Sequence, residues 1–76
     1  MSNYRTQSVL IPKAIFSLKE AEIFVNSHFK LKKLDATEKY YRFRQLSPEY
    51  LKKQGFKILR NKMLDNGIIL VLAYKS

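Results

Sequence analysis

The chain contains no cysteine, and this constrains its fold strongly because the chain has only 76 residues. Domains of this size often depend on disulfides or a structural metal ion. Neither a disulfide nor a thiolate metal site can form here, and the single histidine, His28, cannot build a metal cluster alone. The core must therefore come from hydrophobic burial. A hydrophobic content of 46%, with five Phe and five Tyr, predicts one small folded domain, which a homodimer would stabilise further.

The residue types that enzymes use are scarce. His28 falls on or beside the apolar side of a predicted helix, where a lone histidine is more often a packed or capping residue than a catalyst. Glu20 and Glu22 are the only closely spaced carboxylates, and helical spacing puts them on different faces. Two glycines cannot form a glycine-rich phosphate loop. The sequence predicts no catalytic residues, no metal site, no cofactor and no enzymatic activity.

The first part of the chain predicts a strand and then a helix. Residues 1–7 are polar and are predicted to be a flexible N-terminus, followed by a single domain over residues 8–76. Residues 8–11 read as a strand closed by Pro12. Ser17 and Glu20 fit a capping box, and the apolar spacing after them predicts the main helix over residues 18–29.

The rest of the chain is predicted to alternate short elements, with Ser47 as a second helix cap and Gly55 as a helix stop. The last strand is apolar on both faces, so we expect it inside the sheet. One helix on a small, mostly antiparallel sheet, in the order β-α-β-short α-β-β, is the α+β fold that this pattern favours. In order, the elements are an extended segment at 30–34, a turn at 35–38, a strand at 40–46, a short helix at 48–54, a strand at 56–63, a turn at 65–67 and a strand at 68–74.

Positive charge is concentrated in the middle of the chain. The net charge is +9, and residues 30–62 hold eleven basic residues against three acidic ones, which leaves +8 in under half of the sequence. A coat that served solubility alone would spread the charge more evenly, although excess lysine is common in small proteins that bind nothing in particular. The distribution favours binding to a polyanion.

Residues 40–46 carry the clearest binding pattern, because basic and aromatic side chains alternate there at strand spacing. Arg42 and Arg44 would lie about 7 Å apart on one face, a spacing that suits successive phosphates, and Tyr40 could stack on a base. If Arg60 and Lys62 align on a neighbouring strand, a basic sheet face results. The same alternation also describes a half-buried strand with Phe43 inside and solvated arginines outside.

Two functions fit these features. The first is a basic, non-enzymatic accessory protein that binds DNA or RNA mainly through phosphates, with little sequence specificity. The second is a protein-interaction module that docks on an acidic host or virion protein. No membrane span or secretion signal is recognisable, so we expect an intracellular or virion location. The predicted binding residues are Tyr40, Arg42, Arg44, Arg60, Lys62, Lys57, Lys30, Lys32 and Lys33.

Over residues 9–74 the chain also resembles small uncharacterised proteins and domains of tailed phages and large DNA viruses. The strand motif Tyr41-Arg42-Phe43-Arg44-Gln45 is the most specific part of this resemblance. Members of the group usually have a glycine after the histidine that ends the helix, where this chain has Phe29. The resemblance implies a viral context and no catalytic residues. The other matching segments are Val9-Leu10-Ile11-Pro12-Lys13, Phe16-Ser17-Leu18-Lys19-Glu20-Ala21, His28-Phe29-Lys30, Lys33-Leu34-Asp35-Ala36-Thr37, Ser47-Pro48 and Asn66-Gly67-Ile68-Ile69-Leu70-Val71.

Overall fold

An antiparallel sheet and two helices make up the computed structural model, which describes residues 4–30 and 33–75. The predicted α+β class is confirmed. Within the described residues the sheet has five strands, in the order β2-β3-β1-β5-β4, and every neighbouring pair is antiparallel. In chain order the elements are β1 (Tyr4–Pro12), α1 (Leu18–His28), β2 (Lys33–Ala36), β3 (Tyr40–Arg44), α2 (Pro48–Lys53), β4 (Phe56–Met63) and β5 (Ile69–Lys75).

The helix α1 covers one face of the sheet, which we call the α1 face. Val9 lies directly across from Phe43 on β3 and from Leu70 on β5, so these side chains share that face. Ala21 and Val25 of α1 pack against them, and all of these except Leu70, which is partly buried, are fully or almost fully buried. The apolar row predicted for the helix is confirmed at Ala21, Phe24 and Val25, whereas Leu18 and His28 are exposed. The inward Phe43 agrees with the alternative interpretation of residues 40–46 as a half-buried strand.

The short helix α2 packs on the opposite face, which we call the α2 face. Leu51 of α2 joins Phe56 and Ala73 in a second buried cluster. Ala73 alternates along β5 with side chains that face α1, so it points to the other side of the sheet. The chain therefore buries apolar side chains on both faces of the sheet, whereas the predicted fold has one helix packed on one face.

Side-chain caps begin both helices where the sequence predicts them. The Ser17 hydroxyl accepts from the Glu20 N–H, and the Ser17 N–H donates to Glu20 Oε1, which completes the capping box. Ser47 caps α2 with one hydrogen bond, its hydroxyl accepting from the Tyr50 N–H. At the end of α1, Phe29 has φ −140°, an extended value that needs no glycine, and its ring packs on the core.

Both glycines hold turns with positive φ. Gly55 and Gly67 each have φ 88°, in the left-handed region that side chains disfavour. Gly55 follows the end of α2, and Gly67 lies in the turn between β4 and β5, as predicted.

The N-terminal prediction is wrong for residues 4–7, which belong to β1 rather than to a flexible segment. Tyr4, Arg5 and Thr6 pair with β5, so a strand some 70 residues away in the chain supplies their backbone hydrogen bonds. The register then shifts between Thr6 and Ser8. Residues 1–3 lie outside the described part of the chain.

The middle of the chain holds a strand that the predicted order did not include. Residues 35–36 were expected in a turn, but they belong to β2 and pair with Arg42 and Tyr41 of β3. The turn starts later, where the Thr37 hydroxyl bonds the backbone of Tyr40. The strand β3 also ends at Arg44, two residues early, beside the register shift of β1, where the N–H groups of Gln45 and Leu46 both donate to the Gln7 carbonyl. The interior position of β5 is confirmed.

Candidate nucleic-acid interface

The residues predicted to form one basic face are divided between the two faces of the sheet. Tyr40, Arg42 and Arg44 pair with Pro12, Leu10 and Ser8 of β1, in alternation with the side chains that face α1. They therefore share the α2 face, as the strand pattern predicts. The prediction that these three side chains point the same way is confirmed. Arg60, the other predicted arginine, points to the opposite face.

Arg60 and Lys62 lie on the α1 face, at the far edge of the sheet. Their partners on β5 are Leu72 and Leu70, and Leu70 packs on the α1 core. Strands β1 and β5 separate β3 from β4. The predicted alignment of Arg60 and Lys62 with Arg42 is therefore wrong. The reason is that the connection through α2 carries the chain across the sheet, from β3 near one edge to β4 at the other.

The arginines of β3 each have one polar side chain nearby, although Arg44 Nε is buried without a hydrogen-bond partner among the described residues. Arg42 Nε donates to the Ser8 hydroxyl at 3.3 Å. Arg44 lies 3.9 Å from the Asp35 carboxylate, and its side chain is only 34% exposed. Asp35 also faces Arg42 across β2 and β3. A carboxylate beside two half-buried guanidinium groups lowers their combined attraction for phosphate.

The cations of β4 stand in a different environment. Arg60 and Lys62 are exposed, and within the described residues no hydrogen bond or ion pair holds either side chain. The three adjacent strands β1, β5 and β4 contain no acidic residue. Successive residues on one face of a strand are about 7 Å apart, so Arg60 and Lys62 have a spacing comparable to that of successive phosphates along a nucleic-acid strand.

Two tyrosines that the sequence did not single out lie beside these cations. Tyr4 and Tyr74 are direct partners on β1 and β5, with ring centroids 5.6 Å apart and planes tilted by 43°. Tyr74 of β5 also pairs with Ile58 of β4. The next pair on the same face is Leu72 of β5 with Arg60 of β4. Tyr4 is 40% exposed. We call Tyr4, Tyr74, Arg60 and Lys62 the tyrosine–basic face.

Local patterns in the sequence carry no signal for this tyrosine pair. They predict Tyr74 in the last strand and Tyr4 in a flexible segment. Aromatic residues at both ends of a small chain can meet when the terminal strands pair. That pairing depends on the tertiary fold, so no spacing rule within the sequence would have found it.

The predicted lysines are distributed around the molecule. Lys30 lines a groove on the α1 face, together with Thr6 and the end of α1. Lys57 lies at the register shift of β4 and lines a groove beside α2. Lys33 pairs with Arg44 through the backbone of β2, and Lys32 lies outside the described residues. Of these lysines, Lys30 is the one that the described part of the chain places on the face that carries Arg60 and Lys62.

A second set of cations surrounds Phe56 on the α2 face. The Arg5 guanidinium lies 5.4 Å from the centre of the Phe56 ring, and Lys75 Nζ lies 5.3 Å from it. Both contacts are of the cation–π type, which stabilises a cation against an aromatic face. These two basic residues thus take part in packing the ends of β1 and β5 over α2.

The remaining candidates for chemistry have structural roles or are not assembled. His28 stacks on Phe24 with ring centroids 4.5 Å apart, and its Nδ1 lies 3.1 Å from the Phe24 carbonyl oxygen. In the described part of the chain, no three His, Cys, Asp or Glu side chains are grouped as metal ligands would be. Neither described helix has the length and apolar character that crossing a bilayer requires. No protein-family model, curated protein or solved structure matches the chain.

Proposed function

We propose that this chain is a small, non-enzymatic accessory protein that binds nucleic acid mainly through phosphate contacts, with little sequence specificity. The observation that carries the proposal is the tyrosine–basic face. There, two exposed cations at phosphate-like spacing lie beside a tyrosine pair, on strands without any carboxylate. The viral context implied by the Tyr-Arg-Phe-Arg-Gln resemblance belongs to this proposal as well.

The geometry favours the β4 side of the sheet over the β3 arginines. Arg60 and Lys62 are exposed and unpaired within the described residues, whereas Arg42 is bonded to Ser8 and Arg44 lies beside Asp35. A phosphate that approached the β3 arginines would meet the Asp35 carboxylate as well. Phosphate contacts are therefore assigned first to Arg60 and Lys62, with Lys30 at the other side of the same face.

The tyrosines favour single strands. Base–aromatic stacking is sequence-tolerant, since every base has a π-face, and it requires a base that is not stacked within a duplex. Tyr4 is exposed and lies at the end of this face where β1 begins. The helix on the side that carries these residues is α1, which holds two acidic residues against one lysine, so its insertion into a major groove and base-specific readout are not expected.

The test is a fluorescence-anisotropy titration of the protein with a labelled single-stranded oligonucleotide over a series of salt concentrations. The proposal predicts that the logarithm of the binding constant falls linearly with the logarithm of salt, with a slope of about −0.7 for each phosphate neutralised on a single strand. Sequence composition should matter little, and a duplex of the same length should bind less tightly. Absence of binding at low salt would reject the proposal and leave docking on an acidic protein as the reading of the charge.

A further inference from the structure

The outer edge of β4 differs in kind from the tyrosine–basic face, although the two share Arg60 and Lys62. In the described part of the chain no strand pairs with this edge, although β4 is eight residues long and is exposed from its second residue to its last. In an antiparallel pair, alternate residues direct both their N–H and C=O groups away from the partner strand. The edge of β4 therefore presents a row of backbone donors and acceptors that another strand can use.

The two sides of this edge differ in chemistry. On the α1 face, β4 carries the cations Arg60 and Lys62. On the α2 face it carries Leu59 and Met63, which pair with Ala73 and Ile69 and are 56% and 67% exposed. Exposed apolar side chains beside the unpaired backbone of an edge strand make that edge a place where another strand can pair.

A groove lies against the same edge on the α2 face. It has a volume of about 350 Å³ and is lined by Leu51, Phe56 and Leu59, with Lys52, Lys57 and one acidic residue, Glu49, also in its wall. Strand-addition sites gain affinity from main-chain hydrogen bonds and gain specificity from pockets that receive alternate side chains. The groove beside Leu59 is suited to receive one apolar side chain of an added strand.

We propose that β4 binds an extended acidic segment of a partner protein by strand addition, and that acidic and apolar residues alternate in that segment. Residues directly opposite each other in neighbouring strands share a face. The acidic residues would therefore lie beside Arg60 and Lys62, and the apolar residues beside Leu59 and Met63, with one of them in the groove. This inference does not depend on nucleic-acid binding.

Charge selects this occupant over a second copy of the chain. The strand β4 has three basic residues and no acidic one, and its neighbour β5 adds Lys75 and no acid. A second copy would bring the same cations to the same edge, on a molecule that also carries a net charge of +9. Like charges across a strand pair are destabilising, whereas opposite charges attract.

Amide hydrogen exchange of the full chain, with and without a synthetic peptide, tests the proposal. The probe is a peptide in which glutamate alternates with valine, matched to the eight residues of β4 and blocked at both ends. We expect it to protect backbone amides of β4 that are unprotected in the free protein. A peptide with lysine in place of glutamate should give no protection. Equal protection by both peptides would contradict the role of charge. Protection of amides outside β4 would contradict the location of the site.

Backbone methylation of the peptide tests strand addition itself without altering the protein. Two further peptides carry N-methyl groups, one on the glutamate amides and one on the valine amides. Only one of these sets can face β4, so one peptide should bind at least about tenfold more weakly because several main-chain hydrogen bonds are lost. Full affinity of both methylated peptides would exclude strand addition.

A matched pair of variants locates the apolar side of the site. Leu59→Asn should weaken the Glu–Val peptide several-fold, whereas Leu34→Asn, at an exposed leucine on the opposite edge strand, should not; thermal melting confirms that both variants fold. Sedimentation of the free protein tests the alternative that a second copy of the chain occupies the edge of β4. A dimer whose β4 amides are protected before any peptide is added would show that a second copy holds this edge. Protection of β4 by an oligonucleotide but not by the acidic peptide would equally contradict the proposal.

Discussion

Tyr4 and Tyr74 are direct partners across β1 and β5, with their rings tilted against each other at a centroid distance of 5.6 Å. This contact joins the two ends of the described chain. It also completes the surface beside Arg60. Tyr74 lies opposite Ile58 on β4, and the next β4 residue on the same face is Arg60. A segment that the sequence suggests is flexible is thus part of both the sheet and the proposed interface.

The tyrosines should contribute to binding of single strands. Replacing Tyr4 or Tyr74 by Leu removes an aromatic face but keeps apolar bulk, and we expect a loss of about 1 kcal/mol or more in binding to a single-stranded oligonucleotide. The measurement is anisotropy at low salt. Tyr50→Leu is the control, because Tyr50 is also half exposed but lies on α2. An equal loss from Tyr50→Leu would mean that stacking is not confined to the tyrosine–basic face.

The two glycines form a matched pair for turn strain. Both have φ 88°, so replacement by alanine should destabilise the fold by about 1–2 kcal/mol at either site. At Gly67 the added Cβ would also lie 3.2 Å from Ile15 Cδ1, whereas at Gly55 nothing lies within 4 Å. Ile15 is 61% exposed and the Cδ1 atom is the free end of its side chain, so it can move aside, and urea unfolding should show a similar loss at both glycines. Native stability of either alanine variant would contradict this account of the turns.

The cap of α1 should produce a pH dependence. The hydrogen bond from the Ser17 backbone, followed by that from its side chain, lowers the pKa of Glu20 below the ordinary value of 4.5. A lowered folded-state pKa means that ionised Glu20 stabilises the fold above about pH 4.5, and that this contribution is lost as the pH falls through the folded pKa. Glu20→Gln should therefore be less stable than the native chain at neutral pH.

The stability difference between native chain and Glu20→Gln should shrink towards zero in acid, as measured by thermal melting over a pH series. Glu22→Gln removes one negative charge from the same helix and controls for the change in net charge. A difference for Glu20→Gln that stays constant down to low pH would show that the cap does not depend on ionised Glu20.

Phe43 should dominate the stability of the core. Its side chain is 1% exposed and touches both the sheet and α1. Truncation to alanine removes a buried aromatic ring and leaves a cavity, with an expected loss of about 3–5 kcal/mol. That is a large fraction of the stability of so small a domain, and urea unfolding should show a population that is partly unfolded without denaturant. Retention of native stability would mean that the core collapses around the gap.

Local features of the sequence predict much of this fold. The serines at 17 and 47, the glycines at 55 and 67, and the alternation of Tyr41 and Phe43 with Arg42 each determine the backbone or the direction of a side chain over a few residues. Such rules operate through neighbouring atoms, so one sequence is enough to apply them. They yielded both helices, four of the strands and the α+β class.

What the sequence did not predict depends on contacts between distant residues. Nothing near Tyr4 indicates a strand, because its partners lie on β5 at the other end of the chain. The sequence around Asp35 predicts a turn, and its actual place in a strand depends on pairing with β3. The order of strands decided the candidate site: β3 and β4 are consecutive strands in the chain, yet two strands lie between them in the sheet. The register of β4 against β5 then places Arg60 on the opposite face from Arg42.

The most direct test of the central claim compares two double variants that remove the same charge. Arg60→Gln with Lys62→Gln should reduce the steepness of the salt dependence of single-strand binding by about 1 to 2, because two phosphate contacts are lost. Arg42→Gln with Arg44→Gln should leave that slope nearly unchanged. The reverse result, or an equal reduction by both variants, would contradict the assignment of the nucleic-acid interface to the tyrosine–basic face.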